Sequence, residues 1–478
     1  MNVEPLWTAS ELKLFSDVDV RGQWFARGVQ IDSREVLPGD LFFALRGNSM
    51  DGHDFVGDAL ARGAAGVIVD QAHEGLAAGD NRLIASDDPA DILRQAAVFA
   101  RKRMPGTVVA VTGSAGKTSV VQALRAALEP CGPTHASVRS FNNHVGVPLS
   151  LARMPRSSRW GVFEVGTSAP GEIAGLGKLV RPDIAVITTV GTAHLAGFAD
   201  QTAIAREKAA IFEGMKPSGT AIISLDHDYS DMIRQLAAEA GLNVITVSGR
   251  VKADVSLLKA NMTPHCSCVT ADVLGTIMSF KIGQAGSHRV LNGLLVLAAV
   301  QAAGGDLGLA GLALASLRAE AGRGRVHHLQ RSFGSFSVLD DSYNANPLSL
   351  AAGLEHLSMM PTGRRGRRIA VLADMAELGA EAEEEHMKML GPLKSAGISR
   401  ALTLGPLITQ ACQAADLKVD AFDDVAKMAP KLEQLIDADD VVFVKGANRA
   451  GLARLIENMV SESVPAQAAT CDQSHAAE

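Results

Sequence analysis

The sequence predicts an α/β fold in three domains: a small N-terminal α/β domain, a central domain built on a parallel sheet, and a C-terminal doubly wound domain. Three observations predict it. The chain has 478 residues, and at roughly 100–200 residues per domain that length accommodates about three separate cores. Short apolar runs alternate with helical stretches, the pattern of strands covered on both faces by crossover helices. Two breaks, Pro105-Gly106 and Gly322-Arg323-Gly324-Arg325, divide that alternation into blocks. The expected limits are residues 1–104, 105–326 and 327–463, followed by a disordered tail, 464–478, rich in Ala, Ser and Gln.

In the first block, Ile31-Asp32-Ser33-Arg34, Leu37–Leu45 and Gly66–Val69 read as short apolar segments cut by Gly, Pro and Asp turns, with one helix near Phe55–Arg62. The second block opens with the strand Val108–Thr112 and continues with Gly161–Val165, Ile184–Val190 and Ala221–Ser224, closing after a helix over Leu291–Ala303. The third places strands at Ile369–Ala373, Ala401–Leu404 and Val441–Val444 with helices between them, a doubly wound, Rossmann-like arrangement.

Composition narrows the function. With 47% hydrophobic and 20% charged residues, the chain is neither disordered, collagenous nor membrane-embedded. A net charge of -7 speaks against nucleic acid as the main partner. The N-terminus lacks a basic segment followed by an apolar core, and no run is long enough for a membrane span, so a cytoplasmic protein is expected. Five scattered cysteines fit reduced thiols, and His265-Cys266-Ser267-Cys268 lacks a second pair at zinc spacing. Glu381–Glu385 reads as a solvated helix face.

The sharpest signal is Thr112-Gly113-Ser114-Ala115-Gly116-Lys117-Thr118-Ser119, between a strand and the helical stretch Val120–Leu128. Glycines let backbone N–H groups turn toward phosphate oxygens, and the helix N-terminus adds partial positive charge. Lys117 reaches terminal phosphates, and the Thr118 hydroxyl suits Mg²⁺. Val111 stands where the general nucleotide loop has its first glycine, so this loop is shorter, G-x-x-G-K-T. Mononucleotide binding follows; motor, switch, kinase and ligase all remain open.

The shortened loop resembles that of the Mur ligases and of the related folylpolyglutamate synthetases, and further segments resemble the same family in the same order over nearly the whole chain. Ser140–Leu149, with Asn142 and Asn143, resembles the segment bordering the muramoyl-peptide substrate. Phe163-Glu164-Val165-Gly166 and Thr192-Ala193-His194-Leu195 resemble segments that supply Mg²⁺ ligands. Taken alone, Glu164 is equally a solvated strand-end acid and His194 a loop histidine. Arg206–Phe212 resembles the stretch whose lysine, here Lys208, is carbamylated in several members, though Ala210 stands where the family usually has an acid. Asn292 resembles the adenine-recognising residue, its amide offering donor and acceptor together; by itself it reads as a helix N-cap. Arg325 resembles the arginine that enters the nucleotide site from the third domain. Asp340-Asp341-Ser342-Tyr343-Asn344-Ala345-Asn346-Pro347 resembles the loop of the branch that adds D-alanyl-D-alanine, with Asp341 on the ribose or phosphate side of ATP and Tyr343, Asn344 and Asn346 toward substrate. Ser33 and Arg34 resemble residues of the uridine-diphosphate-binding domain.

The resemblance implies a central ATPase domain with a P-loop, ATP and two Mg²⁺ ions as cofactors, and an ADP-forming amide ligase acting through an acyl phosphate. Lys117, His194, Lys208 and Arg325 would be its catalytic residues, with Thr118, Glu164, His194 and Lys208 toward metal and Gly113, Ser114, Gly116 and Ser119 toward nucleotide. Its expected partners are UDP-N-acetylmuramoyl-tripeptide and D-alanyl-D-alanine, and the chain is expected to be a monomer. The alternatives are a ligase adding a diamino acid to the dipeptide precursor, a folylpolyglutamate synthetase-like ligase, and a nucleotide-driven switch or motor. Because precursor, ATP and dipeptide would then be held by three different domains, the third domain is expected to close on the central one, carrying Arg325 and Asp341 inward.

Overall fold

The computed structural model describes residues 4–47, 50–71, 80–138 and 140–463; the expected tail over 464–478 lies outside the described residues. In the N-terminal region the strands Gly28–Gln30, Asp40–Phe43, Gly66–Asp70 and Leu83–Ser86 form a parallel sheet in that order. The expected helix is Val56–Ala61, entered through a 3-10 turn, Gly52–Phe55. A longer helix, Pro89–Arg103, is written locally. Asp88 accepts the Ala90 N–H, Pro89 occupies the first turn, and Arg101, Lys102 and Arg103 fill the last turn, where the helix dipole favours cations. Its face Ile92, Leu93, Ala96 and Ala100 packs with Trp7 against Leu149 and Ala152 of the central domain. The Trp7 indole donates to the Ala152 carbonyl at 2.8 Å, so the first two domains share one buried seam.

Among the described residues the central sheet has nine strands. The loop-bearing strand, Thr107–Thr112, lies between Ile184–Ile187 and Trp160–Glu164, and Thr134–Ala136 forms the far edge. Beyond Ile184–Ile187 come Thr220–Ser224, Asn243–Ser248 and Val255–Met262, all parallel. The last two strands, Ser267–Val273 and Thr276–Ile282, add an antiparallel edge to the expected parallel sheet. The connections explain why. Only Leu274 and Gly275 join these strands, at φ 52° and 88°, the paired positive φ of a tight hairpin turn, and parallel strands need a crossover of a dozen or more residues. Separate apolar cores cover the two faces of this sheet.

The helix expected from Leu291 begins four residues earlier and spans Ser287–Ala302, with Gly286 as its cap. A further helix, Leu307–Ser316, follows. The third sheet runs Arg325–Arg331, Gly334–Asp340, Val441–Lys445, Arg368–Ala373, Ile398–Leu404, Val419–Phe422, antiparallel only in its first pair. Arg325 pairs with Asp340, so this sheet starts two residues before the expected boundary. Helix Pro347–Met359 begins in a capping box made by Asn346 and Ser349, with Pro347 at its first position.

The third domain rests on the central one. Thr192 donates to Glu385 at 2.8 Å, Ser287 to Glu355 at 2.8 Å, and the Ala196 amide to the Glu377 carbonyl at 2.9 Å. Glu385 is therefore buried, 3% exposed, at a domain interface, and the expectation that Glu381–Glu385 is wholly solvated fails there. Cys131, Cys266, Cys268 and Cys412 are free thiols, and no described helix is long and apolar enough to cross a membrane.

Candidate functional site

The phosphate loop leaves the C-terminal end of the strand Thr107–Thr112 and enters the helix Lys117–Leu128 through Gly116. Gly113 has φ 147° and Gly116 φ 84°, and a Cβ on Gly113 would stand 2.0 Å from Thr188 Oγ1. Glycine is thus required both for conformation and for space. Ser114 fastens the loop from beneath: its hydroxyl donates to the Gly191 carbonyl at 2.9 Å and accepts the Gly191 N–H at 3.0 Å. Lys117 folds back, its ammonium donating to the Gly113 carbonyl at 2.7 Å.

Glu164 closes the wall beside this loop. At the end of its strand it is 1% exposed, with Oε1 accepting the Asn142 amide at 2.6 Å while the buried Oε2 has no partner among the described residues. A buried carboxylate oxygen without a partner is costly unless a cation faces it. Burial holds the Lys117 ammonium below its usual pKa, opposed by attraction to Glu164. Thr118 Oγ1 lies 3.2 Å from the Ser140 hydroxyl. These oxygens fit a hard divalent cation completed by phosphate and water. Among the described residues no three His, Cys, Asp or Glu side chains converge into a metal cage.

His194 sits at φ 63° with Nδ1 2.5 Å from Glu377 of the third domain, a close contact without hydrogen-bond alignment. Burial lowers its pKa, as does Lys117, while Glu377 raises it. Lys208, on the helix Gln201–Ala209, is 1% exposed, and burial followed by repulsion from Lys117 takes its pKa down to about 7.

From the third domain, Asp341 meets the Lys445 ammonium at 2.5 Å, and Lys445 also donates to the Asn344 carbonyl at 3.1 Å. The Asn346 amide donates to the Ser114 carbonyl at 3.3 Å, which ties this loop to the phosphate loop. Arg323 lies 4.0 Å over the Tyr343 ring and donates to Ser140 at 2.9 Å, whereas Arg325 is exposed at the rim, donating to the Ala319 carbonyl at 3.1 Å. Asn292 lies in the second turn of its helix, which removes the N-cap reading, and a Cβ on Gly116 would stand 3.0 Å from its Oδ1.

One cleft of about 1250 Å³ between the two domains is lined by Lys117, Thr118, Glu164, His194, Asn292 and Asp341, with Ser114, Ser119, Asn142, Tyr343, Asn344 and Asn346 also on its walls. Lys208 is buried and is not among the residues that line it. Asn143 faces solvent and accepts the Gly146 N–H at 2.8 Å at a helix start. Ser33 is buried and Arg34 is exposed, paired with Asp32 at 2.6 Å; both lie in the N-terminal domain, outside this cleft. Arg323, Arg289 and Lys445 are cleft residues that the sequence reading gave no role. The doubled Gly-Arg of residues 322–325 offers two candidate arginines, two residues apart, at this position.

Residues 26–101 match the catalytic domain of the Mur ligase family, 111–300 the Mur ligase middle domain, and 324–448 the Mur ligase glutamate ligase domain. The UDP-N-acetylmuramoyl-tripeptide--D-alanyl-D-alanine ligase of Escherichia coli K12 is 32% identical over 435 residues, spanning 90% of this chain and 92% of that protein. The chain belongs to the Mur ligase family. A relative of the same name from Rickettsia prowazekii is 26% identical over 95% of this chain and 99% of its own length. Among solved structures, a crystal structure of MurF from Acinetobacter baumannii aligns with TM-score 0.81 at 27% identity, covering 97% of this chain and all of that one (100%). MurF ligase from Thermotoga maritima in complex with ADP aligns with TM-score 0.74 at 26% identity, covering 91% and 98%. The three-domain α/β architecture is that of these Mur ligases. In this Mur ligase the phosphate loop and the loop over Asp340–Pro347 face one another across a single cleft.

Proposed function

We propose that the chain is an ATP-dependent, ADP-forming ligase that joins D-alanyl-D-alanine to UDP-N-acetylmuramoyl-tripeptide in the cytoplasm, acting as a monomer. The observation that carries this reading is the likeness along 90% of the chain to the ligase of that name from Escherichia coli. The cleft geometry supports it. The precursor carboxylate oxygen attacks the γ-phosphorus of ATP, the bond to the bridging oxygen breaks, and ADP leaves. The dipeptide amine then attacks the acyl carbon, loses a proton and expels phosphate, forming the amide.

The first step brings two anions together, so cations must be in place before it. Lys117 stands at the loop for the terminal phosphates, and Arg323, stacked on Tyr343 and tied to Ser140, reaches it from the linker to the third domain. Gly113 and Gly116 let the backbone approach the phosphates, and Asn292 lies against the loop on the side offered to the base. Thr118 and Glu164 would hold one Mg²⁺ ion, and His194 with Lys208 a second. Bound there, the ions would offset phosphate charge. An amine with pKa about 7 is substantially neutral near neutral pH and so open to carbon dioxide, which supports carbamylation of Lys208. An intact mass equal to the sequence mass, with no rescue of Lys208→Ala by short carboxylic acids, would remove that assignment. Ser33, Arg34, Asn142 and Asn143 are assigned to the precursor.

ADP release, followed while precursor and dipeptide are added separately and together, tests the function. Release that needs both, with a pentapeptide product by mass, is expected. Activity supported only by a diamino acid or by glutamate would keep the fold and change the substrate, and release without either acceptor would indicate a switch or motor.

A further inference from the structure

Arg289 is a partly buried cation in the wall of the cleft, and no carboxylate among the described residues lies within ion-pair distance of it. Its guanidinium donates to two neutral acceptors, the Ser119 hydroxyl of the phosphate-loop helix at 2.7 Å and the Arg323 carbonyl at 2.7 Å. The carboxylates that attract it are committed elsewhere: Asp341 is taken by Lys445 at 2.5 Å, and Glu320 faces Arg323 at 3.6 Å. Burial lowers the pKa of Arg289, Asp341 and Glu320 attract it from a distance, and Arg323 repels it. A guanidinium remains charged under these conditions. The two bonds hold it rigidly, aimed by the helix Ser287–Ala302, without neutralising it.

A fixed cation with no counterion is costly unless an anion from outside completes the site. Two features say which anion. Arg289 lines the same cleft as Lys117, and its anchor, Ser119, is two residues beyond Lys117 in the helix whose N-terminus forms the phosphate loop. We propose that Arg289 is a nucleotide-phosphate ligand of this chain, its planar fork shared between Ser119, the Arg323 carbonyl and a phosphate oxygen of ATP. The inference deepens the ligase reading and rests on the nucleotide binding contained in it. Because Arg289 also holds the peptide of Arg323, phosphate binding there would steady the linker to the third domain.

The test is ADP and AMP binding by calorimetry, with unliganded melting temperatures, for the wild type, Arg289→Gln and Arg289→Lys. The expected result is ADP affinity about tenfold weaker in Arg289→Gln and a smaller loss in Arg289→Lys, which keeps charge without the fork. The unliganded melting temperature of Arg289→Gln should be unchanged or raised, because an uncompensated charge has gone. A purely structural arginine would instead lower that temperature and leave affinity alone. Losses shared by AMP and ADP would assign the phosphate nearest the ribose, and losses confined to ADP the next. If Arg289→Gln fails to fold, the Arg289→Lys comparison decides. ADP affinity within twofold of wild type in the folded variants would overturn the inference and leave the ligase reading standing. A wild type that binds no ADP would overturn both.

Discussion

Arg323 and Arg325 stand on either side of Gly324, yet one guanidinium is stacked on Tyr343 and tied to Ser140 beside the phosphate loop, while the other caps a carbonyl at the exposed rim. A charge held in place beside a transferring phosphoryl group stabilises the transition state far more than a solvated one. Arg323→Ala is therefore expected to lower kcat/KM about 10²–10³-fold, and Arg325→Ala by no more than about threefold. Steady-state ADP release on both variants checks this, and the reverse ranking would assign the role to Arg325. Lys208 allows a test that needs no substrate. Its pKa is about 7 in the fold and about 10.4 in an unfolded chain. Between those values the unfolded state binds more protons, so the Lys208 contribution to stability rises with pH across that window and is least favourable below it. In buffer free of carbon dioxide, Lys208→Met should out-melt the wild type by more at pH 6.5 than at pH 9.5. A gap that widens with pH would mean that Lys208 is not buried as a charge.

At the scale of elements, the phosphate loop is the most constrained segment. Gly116→Ala places a Cβ at φ 84° and 3.0 Å from Asn292, a cost of about 1–2 kcal/mol for the left-handed conformation, so a folded protein with weakened ADP binding is expected. Gly113→Ala meets Thr188 at 2.0 Å and backbone at 3.1 Å, and should lose more of both stability and affinity; denaturant melts with calorimetry rank the two. This loop was legible in the sequence because glycine, lysine and a strand-to-helix junction each leave a local mark. The strands around it were legible for the same reason, since Ile184–Ile187 and Thr220–Ser224 are short apolar runs buried on both faces. The antiparallel edge is less plain in the sequence: Ser267–Val273 is buried at alternate residues, so polar residues interrupt its apolar ones, and Leu274-Gly275 forms its turn. Glu385 and Arg323 were illegible for a different reason. Their environments are made by contacts across domains, with Thr192 for the one and Ser140 for the other, and no local pattern encodes a partner so distant in sequence.

Across the whole molecule, the third domain is held to the central one largely through isolated polar contacts: Thr192 to Glu385, Ser287 to Glu355, Asn346 to Ser114, and His356 to the Pro264 carbonyl at 3.1 Å. Each such bond contributes a net ~0.5–1.5 kcal/mol, and polar interfaces between domains open readily. Substrates that touch both sides shift the balance toward the closed form by their differential affinity. Glu385, 3% exposed, is the most deeply buried member of this set, and Lys388 is its other partner, at 2.6 Å. Removing its carboxylate takes stabilisation from the closed form while touching neither phosphate loop nor linker. Glu385→Ala should therefore show a larger radius of gyration than the wild type without ligands and compact again with an ATP analogue and precursor. Its KM for the dipeptide should rise about tenfold with kcat little changed, because ligand binding must then supply the missing closure energy. Small-angle scattering and steady-state kinetics on the same preparation measure both. Coincident profiles and an unchanged KM would show that the Glu385 contact does not govern closure.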